Sequence, residues 1–233
     1  MTRTVNVFSS KGDVAYNELR DLILTGELPA GSRIAQYELA DRLGMSITPI
    51  REAVRRLLSE GLVEMIAHRD ARVAPINAAE ARQLFEVRLA LDPAAAELAA
   101  QRRTDGDIAT IQATAARLLP VTQQWGEDAL VAHRQFHRAI YTASHNDMLI
   151  HMLDDLWDKS DRYRRLGLAL PPGAEPRTVD HQEHHQMVEL IIAREASAVA
   201  DLTRRHIEKS LTAAAIEMLE VTTPATEAFA SSR

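Results

Sequence analysis

The sequence predicts a mainly α fold in two parts, a small helical unit closed by a pair of short strands and an all-α helical bundle behind it. Three observations carry that prediction. Apolar residues recur at helical spacing along most of the 233 residues. Only LVEMIAHRDARVAPI (62–76) reads instead as two strands around a polar, basic turn. Charge is also uneven: residues 1–75 hold ten Lys/Arg and ten Asp/Glu, so the net charge of −6 falls wholly on residues 76–233. A neutral first part can still present a local basic face, whereas the acidic second part repels phosphates.

Composition bounds the function. With 46% hydrophobic residues, 26% charged, 9 Gly and 9 Pro, the chain is globular rather than collagen-like or disordered. It has no Cys, which excludes a disulfide framework or a cysteine zinc ribbon and suits a reducing compartment. The start MTRTVNVFSSKGD lacks the apolar core of a signal peptide, and no run approaches the roughly 18 apolar residues of a membrane span. A soluble, cytoplasmic protein is expected.

In the first 75 residues, Ala15, Leu19, Leu22 and Ile23 share one face of a helix from about Asp13 to Leu24, with Gly26 as its cap. A short helix follows over 36–43, with Leu39, Ala40 and Leu43 inward, and stops at Gly44. Ser46 is placed to cap a third helix with Pro49 in its first turn, where a missing N–H costs little. Ile50, Ala53, Val54, Leu57 and Leu58 define its inward stripe and leave Thr48, Arg51 and Arg55 pointing elsewhere. Two helices across a tight glycine turn, followed by a strand pair, make a winged helix-turn-helix. Ser46 and Thr48 at a helix N-terminus offer hydroxyls and amides to phosphates and base edges, and Arg51 can pair with guanine in a major groove.

The stretch YELADRLGMSITPIREAVRRLLSEGLVE resembles the winged helix-turn-helix of the GntR family of bacterial transcription regulators. The resemblance implies binding of a palindromic duplex operator by a homodimer, with recognition helices in successive major grooves about 34 to 36 Å apart. Two positions depart from the family. Ile47 stands where Arg is common and suits a thymine methyl rather than guanine. Asp70 stands at the wing tip where Gly is common; it can adopt a left-handed turn, but its carboxylate repels phosphate, which shifts wing contacts to Arg69 and Arg72. Tyr37 lies where a related regulator type has a DNA-contacting Arg, and reads equally as an aromatic packed on the turn.

Residues 76–220 read as about six helices, with breaks at Asp92-Pro93, 104–107, 120–127, 144–147 and 167–177, and a short flexible tail over 221–233. The nine histidines carry the chemistry. His133 and His137 are four apart on a helix whose inward residues include Leu130 and Ile140. A second helix carries His181, His184 and His185, and a third has His206 between inward Val199 and Leu202 and the helix end. Converging neutral imidazoles bind zinc, nickel, copper or iron.

The pieces FEVRLALDPAAAELAA, HRQFHRAI and the segment from Glu183 to Ser210 resemble the FCD-type effector domain of the FadR branch of GntR regulators, in its VanR-like six-helix form; the combined resemblance spans about residues 13–212. In that family an Asp-x-x-x-His pair and two His spaced 22 apart hold a divalent metal. His137, His184 and His206 fall on the His positions, and His133 occupies the Asp position. The exchange keeps a ligand and deletes a negative charge, which favours zinc or nickel and a more anion-attracting site. Arg88 matches a family arginine that reaches an effector carboxylate, or else pairs with a carboxylate of the bundle. The run Arg162 to Arg165 reads as a solvated face, His181 and His185 as solvent-facing, and Trp157 and the Met residues as filler. The function expected is a ligand-responsive regulator, most simply a repressor, that holds a divalent metal and a small carboxylate effector. A metalloenzyme, which Glu183 beside His184 leaves open, and a direct metal sensor are the alternatives.

Overall fold

The computed structural model describes residues 10–66, 70–119, 126–169 and 178–222. The chain divides into two compact units between Ile76 and Asn77.

The first unit contains α1 (Lys11–Leu24), α2 (Gln36–Arg42), α3 (Ile47–Ser59), β1 (Val63–Ile66) and β2 (Asp70–Val73). Helix α1 starts earlier than periodicity suggests because Ser10 and Asp13 form a reciprocal cap: Ser10 Oγ accepts the Asp13 N–H at 3.1 Å, and the Asp13 carboxylate accepts the Ser10 N–H at 3.1 Å. Its buried Ala15, Leu19, Leu22 and Ile23 pack on Ile50, Ala53, Val54 and Leu57 of α3. Leu58, expected inward, is exposed. At 100° per residue it lies about 80° from Ile50, on the edge of the stripe. Leu43 and Ile47 are only partly buried against this core.

β1 and β2 pair antiparallel from Val63↔Val73 to Ile66↔Asp70. The α1–α2 connection adds to the outer edge of β2, where Ile34 N–H donates to Ala71 at 2.8 Å and Val73 N–H to Ser32 at 2.9 Å. Asp70 is extended at the start of β2 rather than left-handed. Its carboxylate accepts from Arg33 at 3.0 Å, which ties the wing to that connection.

The second unit contains α4 (Ala78–Arg102), α5 (Asp105–Ala115), α6 (Gly126–Thr142), α7 (Asp147–Ala169), α8 (Thr178–Ala193), α9 (Ala196–Glu208) and α10 (Leu211–Thr222). There are seven described helices where about six were expected, and the breaks differ in two places. The Asp92-Pro93 break does not occur: α4 runs straight through. Pro93 lacks the N–H that the Leu89 carbonyl would accept, an omission that ordinarily costs about 3 kcal/mol in a helix interior. Arg204 supplies the missing donor, its Nη1 reaching the Leu89 oxygen at 3.1 Å.

The last stretch, where separate helices were expected to carry His184 and His206, is three helices. At the end of α8, Arg194 takes a left-handed φ of 62°. Arg194 N–H bonds to Ile191 O at 3.2 Å and Glu195 N–H to Leu190 O at 2.9 Å, a Schellman closure that normally uses glycine. The strained arginine is held because its guanidinium caps α4, donating to Gln101 O at 2.6 Å, while Arg103 of α4 returns donors to the carbonyls of Ile191 and Ile192. Helix α7 continues past Gly167 to Ala169, and α10 includes Val221 and Thr222; the remainder of the expected tail and residues 120–125 and 170–177 lie outside the described residues. Alanines 95, 96, 99 and 100 let α4 approach its neighbours closely, and α9 packs along its length. Phe136, Ile140, Met187, Ile191, Val199 and Leu202 fill one core, and Leu149, Leu153 and Trp157 a second.

Candidate nucleic-acid interface and metal centre

In the first unit the distribution of arginine partners separates structural arginines from unspent ones. Arg33 pairs with Asp70, Arg42 with Glu27 at 2.8 Å, Arg56 with Glu60 at 3.2 Å, and Arg72 with Glu64 across the wing. Arg51 and Arg55 have no carboxylate partner among the described residues. They sit four apart on the exposed face of α3, an arrangement of like charges that disfavours an isolated helix. Ser46 holds the N-cap position, yet its hydroxyl makes no cap bond, so both it and exposed Thr48 are free to meet a ligand. Tyr37 is exposed and its hydroxyl accepts from Arg51 at 3.2 Å. Arg69 lies outside the described residues. Arg72, read from the sequence as a wing contact, is instead committed to Glu64, and Ile47 turns partly into the core.

In the second unit, three helices bring four imidazoles together: His133 and His137 from α6, His184 from α8 and His206 from α9, with ligand atoms all within 4.8 Å of one another. Their inward placement follows from Leu130, Phe136 and Ile140 on α6 and from Val199 and Leu202 on α9, which are buried on the same faces. His184 Nε2 lies 3.3 Å from His137 Nε2 and 3.2 Å from His206 Nε2. One ring nitrogen has one in-plane direction, so His184 can make a single linear hydrogen bond here, not two. His133 Nδ1 is buried with no hydrogen-bond partner among the described residues. Burial, reinforced by repulsion from neighbouring imidazoles and arginines, holds His133, His137 and His184 well below the usual imidazole range, which keeps their lone pairs free.

A divalent ion fits these donors. A tetrahedral site with nitrogen ligands at about 2.0 to 2.1 Å has ligand separations of about 3.3 to 3.4 Å. The same bond length in a six-coordinate site brings adjacent donors to about 2.9 Å, closer than the spacing at His184. His206 Nδ1 faces the Glu183 carboxylate at 2.8 Å, which presents its Nε2 to the cluster. The same hydrogen bond is the main reason the Glu183 carboxyl lies below its ordinary range. Glu183 is thereby a partner of His206 rather than a free base.

Beside the histidines lies a small cavity of about 20 Å³ lined by Arg88, Arg164, Trp157 and Asp180 among others. Arg88 is buried and pairs with Asp92 through Nε at 3.2 Å and Nη2 at 2.6 Å. Arg88 is thus in an ion pair with a bundle carboxylate and also lines the cavity. The Arg162–Arg165 run is not a solvated face, since Arg162 and Arg164 are 4% and 3% exposed. Burial is tolerated at Arg164 because Asp161 accepts from it at 2.7 Å and Trp157 offers its ring face at 5.0 Å, while Arg88 covers the same ring at 4.1 Å. Burial and the nearby Arg88 lower the Arg164 guanidinium to about 10. The sequence signal was present: Trp157, Asp161 and Arg164 share one helix face by spacing. Trp157 is fully buried and its indole N–H has no acceptor among the described residues. Met148, Met152 and Met65 are exposed rather than filler, and His181 and His185 are exposed and face each other at 3.0 Å.

Comparison with known proteins agrees with this division. The family of bacterial regulatory proteins named gntR matches residues 11–73, and the FCD domain matches residues 83–209, more than half of the chain. A curated relative, the uncharacterized HTH-type transcriptional regulator BphR of Paraburkholderia xenovorans (strain LB400), is 30% identical over 209 residues, covering 85% of this chain and 83% of its own. The chain belongs to the GntR family. This GntR protein is a DNA-binding transcriptional regulator with an FCD ligand-binding domain, and the families and relatives it matches are regulators, not enzymes. The HTH-type transcriptional repressor GlaR of Escherichia coli (strain K12) is 25% identical over 198 residues, covering 82% of this chain and 90% of its own. The solved structure of E. coli McbR/YncC shares the fold with a TM-score of 0.75 at 24% identity, covering 91% of this chain and all of that one. Among the described residues no helix is long and apolar enough to cross a membrane.

Proposed function

We propose that this GntR regulator is a cytoplasmic, homodimeric repressor whose FCD domain holds a divalent metal, zinc or nickel, through His133, His137, His184 and His206, and responds to a small organic acid. The observation that carries the metal reading is the position of His184 Nε2 between two other Nε2 atoms, a geometry that hydrogen bonding alone leaves half satisfied and a shared cation satisfies fully. The two N···N separations at His184 suit a tetrahedral ion such as zinc. A bound ion supplies Lewis acidity to which a carboxylate can coordinate. Four neutral ligands leave its charge undiminished, and Arg88, Arg164 and the Trp157 indole, which has no acceptor among the described residues, add donors for an anion at the adjoining cavity.

The cavity has room for about one water. An organic acid therefore enters only by displacing side chains such as Arg88 from Asp92. That requirement supplies the differential binding on which a switch depends, because a ligand that fitted both arrangements equally would shift nothing. In the first unit, Ser46, Thr48 and Arg51 are assigned to operator contacts at bases and backbone, Arg55 to phosphate, and Arg69 to the wing contact.

The test is operator binding, by anisotropy on a duplex selected from a random pool, with protein that is chelator-stripped, zinc-loaded, or zinc-loaded with a panel of metabolite acids. An acid should weaken binding only when zinc is present. Switching by zinc alone supports a metal sensor instead, and indifference to every acid removes the effector reading.

A further inference from the structure

We propose that Tyr37 is a specificity-determining residue, which aims the Arg51 guanidinium at its base pair; this rests on the reading of Arg51 as a base contact. Tyr37 is 68% exposed, so packing does not account for it. It is the second residue of α2, and its side chain reaches across to α3. Arg51 Nη2 donates to its hydroxyl at 3.2 Å, and the Arg51 guanidinium carbon stands 6.0 Å from the ring centroid. Both residues line an open groove of about 620 Å³ together with Arg33, Arg55, Met65 and Asp70.

The chemistry of the partner decides the role. Arg33, Arg42, Arg56 and Arg72 are held by carboxylates, which fix an arginine but cancel its charge. Arg51 is held by a neutral phenol. A hydroxyl acceptor restrains the direction of the guanidinium while leaving its full positive charge and its remaining N–H groups for a base edge. The rigid ring holds that acceptor in place with few rotatable bonds, where a longer polar side chain would not. The phenol's own O–H stays free to donate outward while it accepts from Arg51. Phosphate binding alone needs no such aiming, since a phosphate accepts a guanidinium from many directions; reading one base edge does.

The experiment uses the full chain and a random-sequence duplex pool, with bound sequences counted for wild type, Tyr37→Phe, Arg51→Ala and the double variant, each checked for unchanged melting. Tyr37→Phe keeps the ring and removes the acceptor. The expected result is that preference at one base pair of each half-site falls about three- to tenfold, with the other positions and the salt dependence unchanged. Arg51→Ala abolishes preference at that same base pair, and the double variant loses nothing further. A uniform weakening across all sequences with a shallower salt slope makes Tyr37 a phosphate contact and overturns the proposal. So does an unchanged preference, or a loss at a different base pair from that of Arg51→Ala. If Arg51→Ala itself keeps every preference, Arg51 is not a base reader, and the proposal falls with that reading.

Discussion

Replacing His184 by Ala is the sharpest perturbation of the histidine cluster, because its Nε2 is the atom that neighbours two others at 3.2 and 3.3 Å. Structural zinc sites are worth about 10 to 16 kcal/mol in all, or about 3 kcal/mol for each of four ligands, so the variant should bind zinc at least about 100-fold more weakly. At free zinc of about 1,000 times the wild-type Kd, the bound ion stabilises the native state by about 4 kcal/mol. That corresponds to a rise in Tm of about 8 to 16 °C for a domain of this size. The same zinc is only about 10 times the variant's Kd, which yields about 1.4 kcal/mol and a rise of about 3 to 6 °C. Differential scanning of wild type and His184→Ala, each with zinc and with chelator, isolates this term from the cavity that the substitution creates, since the cavity is present in both variant samples. An equal zinc-dependent rise in the two proteins would refute the reasoning, as would no rise in wild type.

Three further outcomes are expected. Arg55→Ala should reduce the slope of log K against log salt by about 0.9 per operator phosphate that it neutralises, with sequence preference intact; an unchanged slope would remove Arg55 from phosphate contact. Glu183→Gln should weaken zinc binding about 10- to 100-fold by loosening His206, with little change in zinc-free melting, and equal affinity in a competition titration would deny it that role. Tyr16 is raised from 10.0 to about 12, chiefly by burial and then by its hydrogen bond to Glu60 at 2.9 Å. Its raised folded value means that its contribution to stability is complete below pH 10 and lost as pH climbs toward about 12. Alkaline melting curves of Tyr16→Phe should therefore fall less steeply than those of wild type, and parallel curves would contradict the assignment.

Where local spacing decides structure, the sequence was legible. The stripes on α1 and α3 and the four-residue interval from His133 to His137 follow from helical period alone, and the 22-residue interval from His184 to His206 was readable through family resemblance. Features that depend on distant partners were not. Pro93 reads as a break until Arg204, 111 positions on in the numbering, is seen to serve the Leu89 carbonyl. The break at Arg194 is missing from the expected breaks because nothing nearby in sequence explains a left-handed arginine; the explanation lies in the α4 carbonyls that it caps. The Arg162–Arg165 run reads as solvated because a charge run usually is, and only the face shared with Trp157 and Asp161 reveals that Arg164 is buried. Tyr37 had two equal readings, and neither anticipated Arg51 as its partner.

X-ray absorption at the zinc edge of the loaded, full-length protein tests the central claim most directly. The expected result is one tightly held ion per chain, with a first shell dominated by nitrogen at about 2.0 to 2.1 Å and the multiple scattering of at least three imidazoles. A first shell of oxygen without the imidazole pattern, or an ion lost on simple dialysis, would contradict it.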